Sequence, residues 1–549
     1  VGDTHVRILL PQQCDAQDLL LRQRDLAVQR AAFEWVHTPG LPPYCKGVPK
    51  SEEFTSRQRD RMALDVMQSI LDAATASAKW IRRKPGKISD YSLFYALRRK
   101  PAVARRWEQD EEFARQRLDG INPFMISGIS ELPENFPVTD EALRGVLPDG
   151  ITLDQLLGEG RLFVTDYAAL EDAPVNIGCF LTAPINLFWV DGTGRLMPLA
   201  IQLGQSPAEA PVIFTPADPK WVWLTARTFA QEADGNHHEV IDHLTRTHLV
   251  METFWVAASR TLPPQHPLHV LLKPHFTGTI QINDEARTIM VAPGGPIDQT
   301  MAVGSEGAFW LIAKEYERWS FSEWNPRAQL AARGVLDPDR LPEFHYRDDS
   351  IRLFDAIGTY VKELLAVFYR SNEDIAADYE LQSFVAELAD EGGGRVRGLP
   401  LHDGRLTTVE DLVEILQLIL YLVSVEHAAV NNGQYDQFGY IPNTPGALFL
   451  PAPKDTSPIN EAEFVYYLPM PEGVEAQIGM VGLLSEPTLT PLGNYDDTFF
   501  QSSAEARLAI DRFQAAIADI QIDIDRRNKL LAVPYDYLSP AQVGRSIAI

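Results

Sequence analysis

Cysteine is almost absent. Cys14, Cys45 and Cys179 are the only three in 549 residues; an odd number without metal-ligand spacing argues against a disulfide framework and a thiolate metal site. Basic charge is short as well. Forty-nine Lys and Arg face 75 Asp and Glu, a formal net charge of −26, which argues against nucleic acid as a partner and against simple attraction to anionic membranes; a weak association with a membrane surface stays open. No stretch reaches the roughly 20 apolar residues of a bilayer span, since Glu414 and Gln417 interrupt the most apolar one. There is no Gly/Ser linker and no internal repeat, so one large helical domain is more economical than the several that length alone suggests. The glycine-rich stretches 293–296 and 392–394 fit no phosphate-binding fingerprint and read as loops. No secretory signal is recognisable. Val1 rather than Met stands first, so a cytoplasmic location and a secreted or periplasmic one after removal of a leader are both open.

What the chain does have is a histidine cluster: His238-Glu239-x-x-x-His243-x-x-x-x-His248, answered downstream by His427-x-x-x-Asn431. Four imidazoles and an amide in apolar surroundings are costly to bury without partners, and a metal would give them a common one, imidazole being suited to zinc, copper, iron or nickel. A lone buried histidine is more often a hydrogen-bonded core residue; two on one apolar helix each need a partner of their own. At about 100° per residue, His427 and Asn431 lie about 40° apart on one helical face, whereas His243 and His248 diverge by about 140°. Either one of that pair lies beyond the helix end or the helix carries a π-bulge, a feature concentrated at functional sites. The expectation is a bulged, buried helix. The second segment, 411–427, reads as an ordinary core helix, capped by Thr407 or Thr408. A zinc-protease motif fails because Asp242 stands where the second histidine is needed, and paired Glu-x-x-His motifs of a di-iron bundle are missing. A mononuclear, histidine-rich site remains. The apolar tail 546–549 ends in a carboxylate that could reach it.

At these residues the chain resembles the lipoxygenase family. The stretch 238–252 is similar to that family's iron-binding signature, with Thr245 where leucine or methionine is commoner. The stretch 427–435 is similar to the second signature, with Asn432 in place of an aromatic. Further likeness runs through Asn122-Pro123, 160–167, 199–203, 223–227 and 534–540, nearly continuously from about residue 110 to the end. The first hundred residues show no obvious match and no alternating sandwich pattern. The resemblance therefore implies the compact bacterial form, mainly α: a single helical catalytic domain over 1–549, with 1–110 as a helical extension or lid, a few short strands and no separate lipid-binding β-sandwich.

The resemblance also implies roles. His243, His248 and His427 would bind one non-haem iron, with manganese possible, Asn431 more weakly, and the carboxylate of Ile549 completing the set. His238 and Glu239 would stand beside the ligands without binding, and Gln434 near Asn431 and the substrate. Leu244, Leu249, Ile282, Met290 and Leu484 would line a substrate channel, although core packing explains each about as well. Gly235, Thr300 and Met301 fall where side-chain bulk sets pocket depth, Gly235 suggesting room or a helix break. Ala286 stands where alanine goes with S and glycine with R products. The implied substrates are polyunsaturated fatty acids and dioxygen, the product an S hydroperoxide, and the protein a monomer. Rearrangement of hydroperoxides on the same scaffold, or an inactive lipid-binding relative, are the alternatives. Arg246 and Lys273 are candidate carboxylate tethers, with solvated surface roles favoured.

Periodicity predicts helices near 16–36, 58–84, 219–233, 238–260, 350–390, 408–431 and 503–530, the last opened by a Ser502-x-x-Glu505 capping box. Strands are expected at 160–167 and as a hairpin around 191–194.

Overall fold

A computed structural model describes residues 7–56, 59, 85–95, 98–485 and 490–548. The expected helix at 58–84 lies almost wholly outside them. Within the described part of the first hundred residues the chain forms helix α1 (Ala16–Ala32), a pair of two-residue strands, β1 (Trp35–Val36) and β2 (Tyr44–Cys45), and short turns of tight helix. Strand β1 takes over before the expected helix end at 36.

Two long helices carry the site. The first, α3, runs unbroken through 220–261: regular over Lys220–His237, wide π geometry over His238–Leu249, and regular again over Val250–Thr261. The two helices expected at 219–233 and 238–260 are therefore one, and Gly235 does not interrupt it. Nearly every side chain from Val222 to Thr261 is buried, polar and charged ones included, so these must find partners inside the fold. The second, α7, spans Val409–Tyr421, a π turn at Leu422–Glu426, and His427–Asn431. Thr408 is its cap, its hydroxyl accepting from the Asp411 amide at 3.1 Å. Regular geometry was expected throughout; the π turn immediately before His427 departs from it. By length and composition the run Val409–Phe438 could cross a bilayer, but it is mostly buried inside the fold, as core.

The other elements wrap this pair. A five-stranded antiparallel sheet runs in the order β3 (Ser127–Gly128), β4 (Leu162–Asp166), β5 (Ile185–Val190), β6 (Leu196–Gln202), β7 (Ile213–Phe214). The β5–β6 hairpin turns at Asp191, whose Oδ1 accepts from the Thr193 and Arg195 amides, with Gly194 at φ +86°, a conformation glycine adopts without strain. Helix α2 (Asp110–Asp119) packs on this sheet, Phe113 against Phe188. The region expected as one helix at 350–390 is three: α5 (His345–Phe368), a short turn at Asn372–Ala377, and α6 (Tyr379–Ala389). Asp378 forces the last break, because its carboxylate accepts the Glu380 and Leu381 amides as a cap. The C-terminal helix α8 (Ala504–Asn528) packs on α5 and is capped by Ser503, not Ser502.

Candidate metal centre

The π segment solves the spacing problem. Hydrogen bonding from i to i+5 aligns residues five apart, so His243 and His248 share one face. The threonines hold the widened backbone: Thr245 donates to the Val240 carbonyl at 2.6 Å and Thr247 to that of His243 at 2.6 Å. His248 Nε2 then lies 3.2 Å from His243 Nε2 and 3.1 Å from His427 Nε2. All three rings are buried.

Tautomers follow from the partners. Asn283 donates its amide nitrogen to the His248 carbonyl (2.8 Å) and to Glu252 Oε2 (3.0 Å). Its Oδ1 is thereby turned toward His248 Nδ1, at 3.0 Å, and an amide oxygen only accepts. The proton sits on Nδ1, and the Nε2 lone pair is left facing the other rings. Burial pushes His243 down to about 4 and His248 to about 3, so both are neutral at ordinary pH. The three Nε2 atoms converge within 4.8 Å of one another, and neutral imidazole is the form that binds metal. The residues fit a mononuclear ion.

The surrounding groups fix the geometry. His238 Nε2 donates to the Val430 carbonyl at 2.8 Å, tying α3 to α7 one residue before Asn431. The Glu239 carboxyl lies 3.7 Å from His243 Nδ1 and 3.8 Å from His238 Nδ1, its acidity reduced by burial. Gln434 donates to Asn431 Oδ1 at 3.2 Å. Asn432, the unusual residue of the second signature, donates to the Tyr537 and Gln542 carbonyls and so anchors the helix end to the C-terminal segment. Ile549 lies outside the described residues. The tail before it is pinned beside the centre on helix α4 (Thr279–Glu285) and the turn preceding it, Thr279 donating to the Ile547 carbonyl at 2.9 Å and His275 Nδ1 to that of Arg545 at 2.9 Å.

Sequence reasoning missed Asn283, Glu252 and Arg287. Glu252 also accepts from Arg287 at 2.6 Å and from the Cys45 amide at 3.0 Å. The signal available was spacing: Glu252 follows His248 by four, and Arg287 follows Asn283 by four, so each pair shares a helical face.

Beside the rings lies an apolar cluster separate from the main core. It contains Leu244, Leu249, Met301 and Leu484, with Ala286 and Met290 half-buried on its flank. Ile282, half-buried, packs against the main core. Gly235 does not open the pocket: an added Cβ there would stand 2.5 Å from Phe438 Cζ, so the missing side chain is the room the Phe438 ring occupies. Thr300 and Met301 line a cavity of about 390 Å³ that reaches Ile177 and Phe449. Arg246 is no free surface residue; it is mostly buried, paired with Asp242 and with Glu315 at 2.6 Å, and lies over Trp324. Lys273 is exposed.

The comparisons agree with this geometry. The Lipoxygenase family model matches residues 51–534. The human polyunsaturated fatty acid lipoxygenase ALOX15B is 34% identical over 547 residues, 96% of this chain and 80% of the relative. A linoleate 9/13-lipoxygenase of Pseudomonas aeruginosa is 34% identical over 522 residues, 90% of this chain and 75% of the relative. The mouse hydroperoxide isomerase ALOXE3 is 34% identical over 455 residues, 81% of this chain and 63% of the relative. Among solved structures, coral 8R-lipoxygenase superposes with a TM-score of 0.93 at 30% identity, over 99% of this chain and 83% of that one. A lipoxygenase crystallised anaerobically with arachidonate superposes at 0.94, with the same identity and coverage. The chain belongs to the lipoxygenase family, with that family's helical catalytic fold.

Proposed function

We propose that the protein is a non-haem iron dioxygenase of polyunsaturated fatty acids of the linoleate or arachidonate type, forming S hydroperoxides. The observation that carries this is the convergence of the His243, His248 and His427 Nε2 atoms beside a separate apolar cluster. Bound by His243, His248, His427, Asn431 and the Ile549 carboxylate, iron would supply the one-electron oxidation and the proton acceptor that together take hydrogen from a bis-allylic methylene. Manganese on the same ligands is the alternative that elemental analysis separates.

The chain's own residues do the rest. Leu244, Leu249 and Leu484 hold the diene dry, which protects a radical from side reactions. Asn283 and the Val430 carbonyl fix the rings of His248 and His238; such outer partners tune ligand orientation. Gln434 restrains Asn431. The Ala286 methyl, on the flank of the cluster, blocks one approach of dioxygen and directs it to the face that gives the S product.

Growth of conjugated-diene absorbance on linoleate or arachidonate in aerated buffer, absent in His427→Ala, is the expected result. The likeness to hydroperoxide isomerases favours one rival reading, turnover of a preformed hydroperoxide. Diene loss from a supplied hydroperoxide, with no growth on the fatty acid, would establish it.

A further inference from the structure

Large apolar side chains are exposed at scattered points on this molecule, but six of them gather on three adjoining loops. Val175, Ile177 and Phe180 stand on the first, Phe449 and Leu450 on the second, and Met470 on the third. Backbone hydrogen bonds join the loops: the Phe180 amide donates to the Leu448 carbonyl and the Phe449 amide to that of Tyr467, each at 2.9 Å. None of the stretches that hold them, 173–190, 437–453 and 464–471, contains a charged residue, in a chain that is 23% charged. An exposed apolar patch of this kind marks an interaction surface.

The cavity of about 390 Å³ opens within the patch. Ile177, Phe449 and Gln299 line it at the exposed side, with Asp298 half-buried, and Thr300, Met301 and Pro469 at the buried side. Met301 also belongs to the apolar cluster beside the histidine centre, so the surface patch is continuous with the interior region assigned above to the substrate. Exposed charge at the patch border is mainly acidic, Glu171, Asp172 and Glu472 against Lys454. That balance opposes an anionic surface and leaves a neutral one favourable.

We propose that these loops are a docking surface for a zwitterionic lipid bilayer, which seats Ile177 and Phe449 among acyl chains and sets the cavity mouth against the lipid. The role of the cavity as a route for acyl chains rests on the fatty-acid reading of the site; the docking surface does not.

The test is co-sedimentation of the full chain with phosphatidylcholine vesicles. Binding is expected, and burial of a large apolar side chain implies a loss of roughly tenfold in partitioning for each one replaced by a charge. Ile177→Glu/Phe449→Glu should therefore weaken binding about a hundredfold by that estimate, with an unchanged melting temperature. Leu530→Glu, at an exposed apolar residue elsewhere, should leave binding intact, and added phosphatidylserine should reduce it. Absence of vesicle binding by the parent, or equal binding by the double variant, overturns the proposal. Concentration-dependent self-association abolished by the double variant, with vesicle binding unaffected, assigns the patch to a second copy of the chain and overturns it too. Sedimentation needs no turnover, so a parent that binds vesicles but oxygenates nothing refutes the functional reading and leaves the surface standing.

Discussion

Asn283→Ala removes one small side chain that holds three bonds at once. It takes away the acceptor for His248 Nδ1 (3.0 Å), the donor to the His248 carbonyl (2.8 Å) and the donor to Glu252 (3.0 Å). A buried hydrogen bond contributes about 1 kcal/mol net, more with a charged partner, and an orphaned buried donor costs a further ~1–3 kcal/mol. Glu252 keeps Arg287 and the Cys45 amide, so the loss falls mainly on His248. The apoprotein should lose about 3–5 kcal/mol by this reckoning. Release of the ring from its fixed orientation should also weaken metal binding by about 10- to 100-fold, the range seen when partners of ligands are removed. Urea unfolding of the apoprotein reads the first effect, and metal retained against a chelator reads the second. Asn283→Asp keeps an acceptor for His248 but sets a second carboxylate against Glu252, and should fall between Ala and the parent in metal retention. Unchanged unfolding and unchanged retention in Asn283→Ala would refute the reasoning.

Four further outcomes are expected. Burial pushes the Asp349 carboxyl up to about 6 despite its 2.8 Å contact with Arg527; the folded state then holds a proton that the unfolded chain has released near pH 4, so stability falls as pH rises from about 4 to about 6. Asp349→Asn should flatten that part of the stability profile, and a profile identical to the parent's would contradict the sign. Gly235→Ala drives a methyl into the buried Phe438 ring and should cost about 1–3 kcal/mol, recovered when Phe438→Leu makes room; a neutral single variant in thermal unfolding would show the contact is slack. Appending two residues after Ile549 should abolish metal retention while circular dichroism stays unchanged, and a metal-replete, active extension would remove the terminal carboxylate from the ligand set. Ala286→Gly should move the product from S toward R by chiral chromatography; an unmoved ratio would leave the methyl without a stereochemical role.

The helical class, α7, the two halves of α3 and the β5–β6 hairpin are legible in periodicity and turn residues, because those signals are local. The 140° divergence of His243 and His248 on a regular helix already pointed to a helix end or a widened turn between them, and the widened turn is what forms. What is not local was misread or missed. Gly235 looked like room because a sequence does not show that Phe438, about two hundred positions on, fills the space. Arg246 looked solvated because its partner Glu315 arrives from another helix. The break at Asp378 was hidden by an apolar period that continues across it, while the deciding interaction is a carboxylate caught by two amides. Asn283 carries no motif of its own; its meaning comes only from the packing of α4 against α3.

Mass spectrometry of the product formed from linoleate under isotopically heavy dioxygen tests the account most directly. The account predicts an S hydroperoxide in which both new oxygen atoms are heavy, formed by the parent and not by His427→Ala. A parent that incorporates no heavy oxygen from the gas, with metal bound at the three histidines, would contradict it.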